Sequence, residues 1–208
     1  MSPSTPRPRW SFFFALALVT IAIRLVPQLI VRMQSNGFDM SVVKFPWGFT
    51  TAIAVGLFSG AMIRDLPKAL GFTLGMQLVG DIAIGFLASD LSQGLTMGLL
   101  PVYVSYTLIA LLGRPLPQSP SWWKVTGAGL LAPTLFFLLT NFAVWAAPHA
   151  GVRMYSPTLS GLFDSYIAAI PFSNYFVPSL VASLLLFSPY GLKMAVNAPA
   201  VATSNESA

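Results

Sequence analysis

The chain has no cysteine and one histidine, His149. The first absence excludes disulfide staples, thiolate nucleophiles and Cys-ligated metal. The second excludes a multi-His metal centre and the H-E-x-x-H protease helix. Charge is scarce too. Eleven Lys/Arg and 6 Asp/Glu in 208 residues put charged residues at 8%, against roughly 25% in an average soluble protein. A water-exposed surface cannot be built from so few charges. No G-x-x-x-x-G-K-[ST] phosphate loop and no G-x-S-x-G elbow occur, so any use of ATP falls to partners and a serine hydrolase lacks its machinery. Neither metal nor cofactor is expected, and an enzyme is the least favoured class.

What is present is apolar sequence. Hydrophobic residues make up 55% of the chain and mean hydropathy is +0.73, which also excludes intrinsic disorder. Stretches 45–63, 91–113, 125–152 and 165–192 hold no Asp, Glu, Lys or Arg; 10–31 holds only Arg24 and 69–89 only Asp81. A helix crossing about 30 Å of hydrocarbon needs roughly 20 such residues. The pattern predicts an all-α membrane protein: a six-helix domain over 10–188, with helices at 10–31, 47–63, 68–88, 94–113, 124–147 and 159–187. Turn chemistry at Gln34-Ser35-Asn36-Gly37, Arg64-Asp65-Leu66-Pro67, Asp90–Gly94 and around Pro115, Pro117, Pro120, Pro148 and Pro157 marks the breaks. Pro171 and Pro178 predict a kink in the last helix. Residues 1–9 and 189–208 are expected to be disordered cytoplasmic flanks.

The net charge of +5 reads as a topology signal and not as a nucleic-acid footprint. With the N-terminus inside, Arg7, Arg9, Arg64, Lys68, Arg114, Lys124 and Lys193 fall on the cytoplasmic side. Arg32, Lys44 and Arg153 fall outside. That asymmetry and six spans place both termini in the cytoplasm. Gly56/Gly60, Gly71/Gly75 and Gly94/Gly98 carry the spacing that lets helices approach closely in lipid.

Ionisable groups inside a span are functional hypotheses by default. At 1.5 Å per residue, Arg24 lies about 21 Å along the first helix from Trp10 and Asp81 about 20 Å along the third from Lys68. Asn141 lies about 26 Å from Lys124, and Asp164 sits in the first outer turns of the sixth helix. All four fall near one level on the outer side. Thr20/Arg24/Gln28 and Thr73/Gln77/Asp81 are spaced i, i+4, i+8, and Asn141/Trp145 share a face. These stripes, with Asp164 and Tyr166, are expected to converge on one cavity open to the outside. Two uses remain open: an ion pair of Arg24 with Asp81 or Asp164 that locks the bundle, or a pocket holding a small polar solute. Trp145, Tyr155 and Tyr166 suit either an interfacial belt or a pocket wall. His149, alone in a loop, reads as a surface residue.

Three C-terminal blocks carry a resemblance. Leu135–Trp145 reads F-x-x-x-T-N-F-x-x-W at its end, 155–162 reads Y-x-x-T-x-x-G-L, and 166–172 reads Y-x-A-A-x-P-F. Upstream, Arg24-Leu25-Val26-Pro27, Gly60-Ala61, Gly80–Gly85 and Val102–Tyr106 add weaker blocks. Over about residues 22–187 the chain resembles an uncharacterised family of bacterial six-helix membrane proteins, itself similar to the substrate-capture subunits, or S-components, of energy-coupling-factor transporters. The resemblance implies a multi-pass protein of the bacterial inner membrane that holds a micronutrient in an outward-facing pocket. It also implies delivery through a coupling transmembrane subunit and ATPases. Roles carry over to Arg24, Asp81, Asn141, Trp145, Thr158 and Tyr166, which match motif positions; Gln28, Gln77 and Asp164 join them from the stripes as candidate solute-binding residues. The chain departs from S-components in lacking Ala-x-x-x-Ala on the first helix and a Met-His start. The competing reading is a structural or assembly subunit without ligand, its only certain partner the lipid bilayer.

Overall fold

A computed structural model describes residues 7–45, 48–95, 98–116, 120–148 and 152–197. Apart from isolated bridge residues, among them the antiparallel pair Pro8 and Val196, the regular structure among these residues is helical. In order come α1 (Trp10–Ser35), α2 (Ala52–Met62), α3 (Leu66–Leu87), α4 (Leu91–Gly94), α5 (Leu99–Gly113), α6 (Trp122–Ala146), α7 (Leu159–Ala169), a 3-10 turn (Ile170–Phe172), α8 (Phe176–Leu186) and α9 (Pro189–Ala195). α1, α3 and α6 are long and apolar enough to cross a membrane, and the bent pair of α7 with its 3-10 turn and α8 makes a fourth if counted as one span.

The apolar surface is turned outward. Phe14, Leu18 and Val19 on α1 are all more than half exposed, and most of the apolar window of α1 and of α6 is unburied. A monomer in water rarely shows continuous apolar patches of that size, whereas lipid covers them at no cost.

α2 is the opposite case. Every residue in it except Ala61 is buried, as expected for a helix apolar on all sides. α1, α3, α5, α6 and α8 surround it. Its backbone packs directly on α5: a Cβ at Gly60 would lie 1.8 Å from the Ala110 carbonyl oxygen, and one at Gly113 2.1 Å from that of Leu57. Arg114 then ties the C-terminal ends of α2 and α5 together, donating to the Ile63 and Arg64 carbonyls at 3.3 and 2.9 Å.

Three expectations need correction. The second helix, expected over 47–63, runs only over Ala52–Met62; Trp47 lies outside the described residues. At about 16 Å it is half a span. Thr51 precedes it and meets Thr20 of α1 through a 3.0 Å hydroxyl contact, so α2 starts about 15 Å along α1 from Trp10, in the middle of the bundle. The sixth helix, expected to be kinked but continuous over 159–187, is broken at Pro171, while Pro178 lies within α8: the segment ending at Phe172 and α8 meet at 63°. Pro171 has no N–H to continue the ladder, and its ring displaces the preceding turn; Ser173 closes the break by donating Oγ to the Ile170 carbonyl at 2.6 Å. Pro27 and Pro133, by contrast, sit inside unbroken helices. Finally, the flanks are partly ordered. Ser188 caps α9 by accepting from Gly191 N at 3.2 Å, Pro189 takes the first turn, and Pro8 bridges Val196. Arg9 N donates to Ala195 O at 2.8 Å and Asn197 N to Arg7 O at 3.0 Å, so the two ends of the described chain are tied together.

Candidate functional site

The α1 stripe lies along α3, and Arg24 is its centre. Its Nη1 donates to Gln77 Oε1 at 2.9 Å and to the Gln77 carbonyl at 3.3 Å, while Nη2 forms an ion pair with Asp81. Tyr103 on α5 donates its hydroxyl to the other Asp81 oxygen at 2.8 Å. The Asp81 side chain is 2% exposed and that of Arg24 24%. A carboxylate so buried persists only when paired, and here both its oxygens are engaged. Gly80 makes the space: a Cβ there would stand 2.8 Å from Arg24 Nη1. Because a guanidinium only donates, Gln77 must present Oε1 to it. Nε2 is thereby turned into the bundle, where it is buried without a hydrogen-bond partner. One turn inward, Thr73 and Ser59 share a buried 2.6 Å contact.

The second group lies on α6 and α7. Asn141 Nδ2 donates to the Phe137 carbonyl at 2.8 Å, Trp145 Nε1 to Ser156 O at 3.0 Å and the Tyr166 hydroxyl to Leu138 O at 3.1 Å. Thr158 caps α7, accepting from Gly161 N at 3.2 Å. The Tyr166 contact fastens α7 to α6 and the Trp145 contact closes the loop between them, while Asn141 and Thr158 bond within their own helices. Asp164 is exposed and makes no hydrogen bond or ion pair among the described residues.

The expected convergence on one cavity is therefore corrected. Arg24, Gln77 and Asp81 come together; Asn141, Trp145, Thr158 and Tyr166 form a separate group. α7 packs on α6 and makes no substantial contact with α1 or α3, which also leaves Asp81, and not Asp164, as the partner of Arg24. His149 lies outside the described residues.

Gln28 belongs to a third feature. An open cleft of about 340 Å³ separates the C-terminal ends of α1 and α3, lined by Gln28, Val31, Arg32, Leu87, Ser89 and their neighbours. Arg32 reaches across it, donating through Nη1 to the Leu87 carbonyl at 2.7 Å and to Ser89 Oγ at 3.1 Å. Ser89 adopts a left-handed φ of 56°, uncommon for a residue with a side chain, and so turns the chain back into α4. There Gly94 lies against the Asp81 backbone: a Cβ would be 2.0 Å from the Asp81 carbonyl oxygen.

Sequence reasoning missed Tyr103, Gly80 and Arg32 as members of these sites. Arg32 was detectable, since it continues Thr20, Arg24 and Gln28 at the same spacing of four. Tyr103 was not, because its partner lies on another helix.

No curated protein and no solved structure matches the chain. Residues 4–201 match DUF6580, a family of unknown function, and with nearly its whole length so covered the chain belongs to that family.

Proposed function

We propose that this protein is a six-span subunit of the bacterial inner membrane, both termini cytoplasmic, that captures a small polar solute from the outer side for import. On this reading it is not an enzyme. A coupling transmembrane subunit and ATPases would supply energy, since the chain has no phosphate loop of its own. The supporting observation is the solvent-open cleft beside Gln28, directly outward of a buried ion pair on the same face of α1. Its volume falls within the range of small-ligand sites, about 300–1,000 Å³, and buried ionisable groups in a membrane helix commonly mark a solute path.

A structural role has its own support: the contacts of Arg24 with Gln77 and Asp81, and of Tyr103 with Asp81, join α1, α3 and α5, so the cluster can serve purely to lock them. Native mass spectrometry of the detergent-purified protein separates the two. Solute capture predicts a co-purified molecule of a few hundred daltons at most, its occupancy reduced by Gln28→Ala. Only the bare chain and lipid, under conditions that preserve other bound solutes, would leave the structural role standing.

A further inference from the structure

The cleft at the outer ends of α1 and α3 carries a ligand chemistry of its own. Its lining residues are Gln28, Val31, Arg32, Ser35, Asn36, Leu87, Ala88 and Ser89, with no carboxylate among them. The nearest acid, Asp90, follows Ser89 and holds Ser92 N and Oγ on Oδ1 at 2.9 and 2.7 Å. Asp39, beyond the end of α1, holds Ser41 N at 2.9 Å.

Two helix C-termini border the cleft, and each carries the equivalent of about half a negative charge. Most of the last carbonyls of the two helices are already occupied, however. The Arg32 carbonyl accepts from Ser35 Oγ, Asn36 Nδ2 and Asn36 N. The Leu87 carbonyl accepts from Arg32, and those of Ile84, Gly85 and Phe86 accept from Ala88, Asp90 and Ser89. What faces the opening is donor capacity. Arg32 uses only Nη1, leaving Nε and Nη2 without a partner among the described residues, and the Gln28 amide one turn inward is unengaged as well. A guanidinium edge with two parallel N–H donors matches a carboxylate or phosphate oxygen pair.

We infer that this cleft is an oxyanion site in which Arg32 and Gln28 bind a carboxylate or phosphate group. The inference deepens the solute-capture reading and rests on it for the identity of a free ligand: the captured solute is anionic, and Arg32, not the neutralised Arg24, holds its charge. Arg32 stands about 33 Å along α1 from Trp10, at headgroup level, so a phospholipid headgroup offers the same oxygens as a free solute.

The test uses full-length protein in neutral detergent, titrated by calorimetry with inorganic phosphate and with succinate. In parallel, the protein is placed in nanodiscs of phosphatidylglycerol or phosphatidylcholine and retained lipid is counted by native mass spectrometry. Binding of either soluble anion is expected, weakened about tenfold or more by Arg32→Gln and less by Gln28→Ala, with Lys44→Ala unchanged. Because Arg32 also caps α3, Arg32→Gln can unfold the outer end. Gln28 makes no hydrogen bond among the described residues, so weaker binding of Gln28→Ala at unchanged thermal stability ties the effect to the site. Arg32-dependent retention of phosphatidylglycerol without soluble-anion binding supports the oxyanion site and assigns it to lipid, against solute capture. Absence of both, or binding indifferent to Arg32 and Gln28, overturns the inference. A neutral or cationic co-purified molecule would overturn it too, while leaving solute capture intact.

Discussion

At the scale of residues, the Arg24–Asp81 pair shows how a charge is tolerated at bundle depth: both carboxylate oxygens of Asp81 have partners, Arg24 and Tyr103, at the expense of a Gln77 Nε2 left buried without one. Arg24→Ala strips that partner from a carboxylate that is 2% exposed and is expected to cost about 3–5 kcal/mol, whereas exchanging both charges for apolar groups is often neutral. Thermal unfolding of Arg24→Ala, Asp81→Ala and the double variant checks this; a double variant no more stable than the worse single one would contradict the pairing. Outside the membrane-spanning segments, Asp65 behaves differently. The Lys68 backbone N–H, donating at 3.0 Å, is the main reason its carboxyl sits below the ordinary carboxylate range, with the Lys68 side chain assisting. A lowered folded value means the cap stabilises α3 fully above the unfolded carboxylate range and is lost as pH falls through the lowered value. Hydrogen-exchange protection factors at the first turn of α3, corrected for the intrinsic exchange rate at each pH, are expected to fall below about pH 4 in the wild type and to be insensitive to pH there in Asp65→Asn.

At the scale of elements, glycines with the same spacing do different things. Gly60 and Gly94 each meet a backbone carbonyl within 2.0 Å of where a Cβ would lie, while Gly71 and Gly75 meet nothing within 4 Å. Gly60→Ala and Gly94→Ala are therefore expected to cost about 1–3 kcal/mol through forced displacement. Gly71→Ala is expected to be neutral or stabilising by up to about 1 kcal/mol, since Ala favours the helix. Denaturant titration of the three variants in one detergent checks the order. Prolines divide in the same way. Pro171 stands where the chain turns by 63°, while Pro27 and Pro133 continue their helices, because neighbouring helices and local adjustments accommodate the missing N–H.

At the scale of the whole molecule, the proposed topology is open to a direct check. Reporter fusions after residues 40, 66, 91, 118, 153 and 195 are expected to alternate out, in, out, in, out, in. An outside reporter at 195 would contradict six spans, and it would conflict with the tie between Arg9 and Ala195, which places both ends of the described chain together.

Hydrophobic periodicity and the scarcity of charge were enough to determine the helical class, the apolar outward surface and the approximate limits of α1, α3, α5 and α6, because each depends on local composition and a length set by the bilayer. Spacing along one helix was enough to place Thr20, Arg24 and Gln28 on one face; Arg32, one step further along the same face, was read as a loop residue because the helix was expected to end at 31 and runs to Ser35. Contacts between helices decided the rest. α2 reads as a span by composition, yet only packing on five neighbours shows it to be a buried half-length core helix. Asp81 and Asp164 are equivalent in sequence as partners for Arg24; placing α3 beside α1, and α7 on α6 alone, separated them. The helix faces were set by local periodicity, but which faces meet was set by the tertiary arrangement, through close backbone approaches such as Gly60 on Ala110 and Gly94 on Asp81.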